Sequence, residues 1–449
     1  MVGAFGATGA IVAAMVGSGI FSLTGQFGAA IATPTNVIAA WIIGGVLALC
    51  GGLCLAELGA MIPCSGGSVE FARRAFGATT GYLVATVTIV AGYFLSITVV
   101  ALLLAQYVDA LVASDLPDVA VAAAAIVVAA GSQFLGLRAG WAVGTGLAIL
   151  KFGVVAAFVG LGLAWPVETR LSAPAPAEAP GLLSAPVAAA ALTVSFAYLG
   201  WSTGADVAGD VRRPGRNVPL AIVASVLIVI ALYLGVNLVY LRVIDPGAMT
   251  DGAGGPMPAI GSVAARLLFG EAAGAVLTAT IALLFLSTMV SGTITAARVL
   301  ESMARAGEIA PSLGRRRPDG VPARALLVTL VASLVPLAVG SLDAILDTLT
   351  VLVNLASSLS VAAVIVLRRT MPDAPRPFRV PLYPFVPIVY LAIAGWSIVA
   401  KIESDGASAL LESLAIAAGL LLLRPLLHPH RLHRTGVGTP SKPDPDERN

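Results

Sequence analysis

The chain has 449 residues, 58% of them hydrophobic and only 11% charged, against roughly a quarter charged in an ordinary soluble domain. So few charges cannot clothe a solvated surface, which excludes a soluble enzyme, a nucleic-acid binder, a secreted disulfide scaffold and a disordered chain. The near balance of 26 Lys and Arg against 24 Asp and Glu conceals a sharp asymmetry between loops, and the 48 glycines suit closely packed membrane helices.

A bilayer crossing needs about 20 mostly apolar residues. Twelve runs fit this pattern: 2–32, 36–61, 81–108, 119–137, 141–165, 187–209, 218–241, 272–300, 323–340, 346–367, 382–401 and 408–427. Helix breakers separate them, as at Pro166, Pro214, Asp245-Pro246 and Pro372, and the runs are too long and unalternated for barrel strands. The fold class predicted is an all-α polytopic membrane protein with twelve spans. The first run lacks the charged lead of a signal peptide and reads as a real span whose cytoplasmic lead-in is missing or very short.

Orientation follows from the cations. With the N-terminus inside, 21 of the 26 Lys and Arg lie on the inner side; Arg170, Arg242, Arg266 and Lys401 lie outside, and Lys151 falls within a span. Asp109, Asp115, Asp118, Asp245, Asp251, Asp343, Asp347 and Asp405 gather on the outer side. Both termini are therefore expected in the cytoplasm, and the chain in the plasma membrane. The polar, Pro-rich tail 428–449 is expected to be disordered. It holds the only histidines, His428, His430 and His433, which read as part of a solvated basic tail rather than a metal site. Cys50 and Cys54, four apart on one apolar run, and Cys64 beside a proline make neither a disulfide framework nor a metal motif. No cofactor, no metal and no nucleic-acid partner are expected; the partners are a small solute and membrane lipid.

The first run is interrupted by Gly17-Ser18-Gly19-Ile20-Phe21, and the sixth by Leu199-Gly200-Trp201-Ser202-Thr203-Gly204. Exposed backbone at membrane depth is tolerated where it lines a cavity, although small residues also serve close helix packing. Five crossings separate the two interruptions, so the second half starts from the opposite side. This is the arithmetic of an inverted repeat, and paired interruptions in corresponding places point to a transporter binding site.

These residues resemble the amino acid–polyamine–organocation superfamily, in its amino acid permease branch. Gly17 to Phe21 is similar to the family's first-helix signature. So is the stretch from Ala56-Glu57-Leu58-Gly59 through Pro63 and Gly66-Gly67 to Arg73-Arg74-Ala75-Phe76-Gly77 to the segment that follows it. Phe196-Ala197-Tyr198 with Gly200-Trp201, then Arg213-Pro214 and Arg216-Asn217-Val218-Pro219, resemble the sixth-helix pattern. Ala297-Arg298, Met303-Ala304-Arg305 and Gly307 resemble the exit of helix 8, and Pro375 to Pro381 the loop before helix 11. The resemblance implies a LeuT-type fold: a first repeat over 1–165 (helices 1–5), a second over 187–368 (helices 6–10), then helices 11 and 12 in 382–427. It departs from the family at Gly209-Asp210, where an acidic pair is usual. The outer loop between helices 3 and 4 has no cysteine, so no disulfide-linked partner subunit is expected.

By the same resemblance, N–H groups of Ser18, Gly19 and Ile20 face the carboxylate of an amino acid, as a half-helix N-terminus suits an anion. Carbonyls near Ala14 and Val16 in helix 1, and of Phe196 and Ala197 in helix 6, suit its ammonium, with Gly200 in the same set. Phe196 falls where the family places an aromatic lid, and Trp201 is grouped with it as a gate. Lys151 stands out from the residues alone, because a lysine in the middle of a span is expensive and functional by default. By resemblance it occupies the place where sodium-coupled relatives bind an ion. There it would bridge carbonyls near Gly17 to helix-8 hydroxyls such as Ser287 or Ser291.

The function expected is secondary active transport of amino acids by alternating access, sodium-independent, with proton coupling or exchange. Protonation of Lys151 would either drive symport or stabilise one state. The alternative is a polyamine or organic-cation exchanger of the same fold, favoured by Asp206 in the second half of helix 6. A membrane-embedded enzyme would need clustered catalytic groups, and a channel a repeated filter loop; the sequence shows neither. Glu57, near the inner end of helix 2, is expected to pair with an inner arginine as a structural contact.

Overall fold

The computed structural model describes residues 3–17, 19–62, 67–112, 116–135, 138–173, 178–206, 208 and 211–427, without the side chains of 135–149, 206 and 425–427. The tail, Ser18, Pro63 to Gly66, Asp115 and Gly209-Asp210 therefore lie outside the described residues. Each of the twelve apolar runs contains helix, and among the described residues the only extended pairings are two isolated bridges.

The first run is split into α1 (Ala4–Met15) and α2 (Gly19–Ile31), which meet at 44°. α3 (Pro34–Met61) starts cleanly because Pro34 needs no donor partner at the first helical position and the Thr33 hydroxyl accepts from Asn36 N–H at 3.2 Å. The amphipathic α4 (Gly67–Phe76) leads into α5 (Ala78–Ile89) and α6 (Ser96–Val112), joined by a π-turn over Val90–Leu95. α7 (Asp118–Ser132) and α8 (Arg138–Ala164) complete the first half.

The sixth run is split into α9 (Ala185–Ala197) and the single turn α10 (Thr203–Asp206). α11 (Pro214–Val243) follows, then α12 (Ile260–Arg305), α13 (Ala323–Leu334) and α14 (Leu342–Thr370). α12 is two helices in one, broken at Gly270 with φ +81°. α15 (Phe385–Asp405) and α16 (Ser408–Leu427) end the bundle, turning at Gly406.

These lengths make the chain a multi-pass membrane protein. Among the described residues six helices, with α5 to α6 counted as one, are long and apolar enough to cross alone, and the bent α1–α2 pair makes a seventh. The apolar helices α7, α9 and α13 are shorter, because breaks and 3₁₀ turns cut them.

α3 is the hub of the bundle, and its small residues set the spacing. A Cβ at Gly44 would sit 2.6 Å from Val194, at Gly45 2.8 Å from Ile230, at Gly51 2.7 Å from Trp201 and at Gly52 2.9 Å from Ile222. Side chains of α9, α11 and the sixth-run break therefore press directly onto the backbone of α3.

The two ends of the bundle differ in charge. α14 carries Asp343 at one end and Arg368 and Arg369 at the other. At the arginine-rich end Arg73 pairs with Glu308, and Glu301 is held by Arg305 and Arg316, both at 2.6 Å. At the arginine-poor end a cavity of about 370 Å³ is lined by Gln26, Gln106, Asp109, Asp118, Asp251 and Asp343.

Candidate functional site

The two helix breaks meet. α1 ends at Met15, and Val16 turns extended (ψ 93°) while its N–H still bonds back to Val12 at 2.8 Å. α9 ends at Ala197; the N–H of Leu199 closes on the Phe196 carbonyl at 3.1 Å, and Gly200 adopts φ +111° before α10 begins. A Cβ on Gly200 would lie 2.8 Å from the carbonyl carbon of Ala14 and 2.9 Å from its oxygen. Only glycine supplies both this backbone angle and this approach. The second contact is made by Gly19, whose added Cβ would sit 3.0 Å from that of Ala197.

A tyrosine from a third helix ties the breaks together. Tyr233 on α11 points its hydroxyl at the Met15 carbonyl (2.8 Å) and the Ala197 carbonyl (3.0 Å), sharing one proton between two acceptors. Its ring packs on Trp41 and Tyr198, with centroids 5.4 and 5.0 Å away. Trp41 donates to Thr24 on α2 at 3.1 Å, and Thr24 donates to Asn237 on α11 at 2.6 Å. Further along α2, Tyr240 donates to the Ile20 carbonyl (3.2 Å) and Tyr107 to that of Phe21 (2.5 Å). Tyr233 thus meets two carbonyls at the ends of α1 and α9 that continuous helices would have kept to themselves, while Tyr240 and Tyr107 brace the first turn of α2.

The residues singled out from sequence fall around this junction. Ala14, Val16, Gly17, Gly19 and Ile20 flank the first break, and Phe196, Ala197 and Gly200 the second. The carbonyls of Phe196 and Ala197 are both occupied, by the Leu199 N–H and the Tyr233 hydroxyl. Phe196 and Trp201 are buried, and Trp201 packs edge-on against Tyr390 of α15 at 6.3 Å. Asp206 closes α10, and its side chain lies outside the described residues.

Lys151 lies midway along α8 and is only 8% exposed. Its ammonium donates to the Thr288 hydroxyl of α12 at 2.9 Å, and Thr288 in turn donates to the Leu284 carbonyl at 2.8 Å. Among the described residues no carboxylate is within ion-pairing distance of it. The helix-8 partner is thus Thr288 and neither Ser287, which is buried nearby, nor Ser291, which is exposed. α8 also packs against α1, and the lysine ties α8 to α12.

Glu57 is the opposite kind of buried charge. It is 1% exposed and receives both ends of the Arg368 guanidinium, at 2.8 and 2.5 Å, and the Val380 N–H at 2.6 Å, with Arg376 at 3.4 Å. Arg368 also stacks 3.8 Å above the Tyr383 ring. The inner arginine expected for Glu57 is therefore Arg368, and the contact fastens α3 to α14 and to the following loop.

The comparisons with known proteins decide the family. The profile described as Amino acid permease matches residues 2–420. The chain belongs to the amino acid permease family. That places it in the amino acid–polyamine–organocation superfamily and removes the membrane-enzyme reading, since the family and the relatives are transporters. The permease is 26% identical over 416 residues to the serine/threonine exchanger SteT of Bacillus subtilis, covering 91% of this chain and 93% of that protein. It is 26% identical over 412 residues to the b(0,+)-type amino acid transporter 1 of Mus musculus, covering 88% and 81%. It is 28% identical over 421 residues to the large neutral amino acids transporter small subunit 2 of Homo sapiens, covering 90% and 76%.

Two residues of the permease site escaped sequence reading. Tyr233 and Thr288 sit in apolar helices with no local mark, and their partners are 218 and 137 residues away. A tyrosine hydroxyl deep in a span needs a partner, and that is the one signal that Tyr233 carried.

Proposed function

We propose that this permease moves an amino acid across the plasma membrane by alternating access, without sodium, by exchange or with proton coupling. The observation that carries the proposal is the meeting of the two breaks, where Gly200 touches the Ala14 carbonyl and Tyr233 binds Met15 and Ala197 together. Backbone dipoles opened at such a junction hold a carboxylate and an ammonium without a buried ionised side chain. In this reading N–H groups of Ser18, Gly19 and Ile20 take the carboxylate. Carbonyls near Ala14 and Val16 and at the end of α9 take the ammonium once Tyr233 shifts its proton between acceptors.

Lys151 supplies the fixed positive charge that a sodium ion supplies in sodium-coupled relatives. Its bond to Thr288, the one it makes among the described residues, supports this, because a neutral hydroxyl partner leaves the ammonium able to exchange partners as the helices move. The full reading has twelve spans, a 5+5 inverted repeat with helices 1 and 6 broken, and both termini in the cytoplasm. The apolar runs and the arginine distribution support it. No disulfide-linked partner subunit is part of this reading, since the loop between helices 3 and 4 carries no cysteine. One alternative has its own support: the four aspartates at the arginine-poor cavity favour a polyamine or another organic cation.

A thermal-shift screen of the twenty amino acids and common polyamines at two pH values tests the proposal. A neutral amino acid that stabilises the wild type and no longer stabilises Gly200→Ala is the expected result. Stabilisation by diamines alone would replace the amino acid with an organic cation.

A further inference from the structure

The arginine-poor side of the molecule holds four cations, and three of them are neutralised. Arg170 pairs with Asp245, Arg266 with Glu271 at 3.3 Å, and Lys401 with Asp347 at 2.8 Å and Asp405 at 2.5 Å. Arg242 has no carboxylate partner among the described residues. Its guanidinium donates only to carbonyls at the end of α8, those of Gly162, Leu163 and Trp165. These three bonds orient the group and leave its formal charge in place. They also leave two of its five N–H donors unused, that on Nε among them.

This charge sits at the end of a groove. The first turns of α3 (Pro34, Thr35, Ile38) and the last turns of α11 (Leu238, Leu241, Arg242) enclose about 480 Å³ on the outer surface of the bundle. Apart from Thr35 and Arg242 its walls are apolar, and Leu238 is 47% exposed in a helix that crosses the membrane. An apolar trough along the span with an unneutralised cation where the span ends has the polarity of a phospholipid: acyl chain below, phosphate above. Arginine is suited to the second part because its planar donors match phosphate oxygens.

We propose that the α3–α11 groove binds an anionic phospholipid, with one acyl chain along Ile38, Leu238 and Leu241 and the phosphate on Arg242. The occupied groove fixes the start of α3 to the end of α11, and through Arg242 to the end of α8. The inference depends on the membrane-spanning architecture alone and holds whichever solute the permease carries.

Native mass spectrometry of the full chain in detergent tests it, with phosphatidylglycerol, phosphatidylcholine and glycerol 3-phosphate as probes. The wild type should retain one phosphatidylglycerol in preference to phosphatidylcholine. Arg242→Gln should lose that preference by about tenfold, the weight of one charge-assisted contact. Because Arg242 also caps α8, Leu238→Trp provides an independent arm: it fills the trough, leaves the guanidinium untouched and should lower retention of both lipids. Wild-type retention of phosphatidylglycerol by a Leu238→Trp protein with unchanged thermal stability would overturn the proposal. Equal retention of the two lipids by the wild type would do so as well, and displacement of the lipid by equimolar glycerol 3-phosphate would reassign Arg242 to a free anion.

Discussion

Glu57 and Lys151 are both buried charges in this permease, and their surroundings differ in kind. Glu57 receives a bidentate arginine, a backbone N–H and a second arginine nearby. Among the described residues Lys151 has a single neutral hydroxyl. A buried charge costs several kcal/mol unless it is paired and fully hydrogen-bonded. Glu57 meets that condition, so its site is locked and its role is to hold α3, α14 and the following loop together. Lys151 does not meet it among the described residues, so the fold tolerates a cost at the middle of a span, which is what the proposed task in the transport cycle would account for.

The comparison is easiest to break at Glu57. Glu57→Gln leaves two arginines without their shared carboxylate and should destabilise the protein by about 3 kcal/mol or more, read as a fall in the detergent melting temperature. A melting temperature equal to wild type would show that the lock is ornamental. At the other end of the comparison, Lys151→Met should leave the melting temperature unchanged or raised, since an apolar side chain removes the desolvation cost. Uptake into proteoliposomes should nevertheless fall by about tenfold or more, the scale of one coupling interaction. Loss of folding together with loss of uptake would place Lys151 in the same class as Glu57.

The junction between the breaks sharpens the contrast. Tyr233→Phe strips one donor from two carbonyls, which should cost about 1–3 kcal/mol in stability, and it should weaken amino acid binding in a thermal-shift titration. Thr288→Val gives the smallest effect. It removes the one partner that Lys151 has among the described residues while leaving the ammonium in place, so uptake should fall by only about five-fold, since a typical hydrogen bond is worth about 1 kcal/mol net. An effect as large as that of Lys151→Met would make the hydroxyl, and not the ammonium, the working group.

The elements legible in the sequence are those that violate a local rule. Gly17, Gly19 and Gly200 break apolar runs, Lys151 puts a charge where hydrocarbon should be, and Glu57 sits near clustered arginines; each flags itself within a few residues. Tyr233 and Thr288 break no rule, because a tyrosine or threonine in an apolar helix is ordinary, and their meaning lies in contacts with helices far along the chain. Helix lengths were only partly legible: hydropathy marks α7, α9 and α13 as apolar, yet chain breaks and 3₁₀ turns decide where each stops. The acidic cavity at the arginine-poor end draws on five separate segments, so its aspartates could be assigned to a side but not to one another.

The most direct test of the central claim, that Lys151 stands in for a coupling ion, is amino acid uptake into proteoliposomes in sodium-free buffer, with wild type and Lys151→Met compared side by side. The account predicts full uptake by the wild type without sodium and a folded Lys151→Met protein that has lost it. Wild-type uptake that requires a sodium gradient, or a Lys151→Met protein that transports as the wild type does, would contradict it.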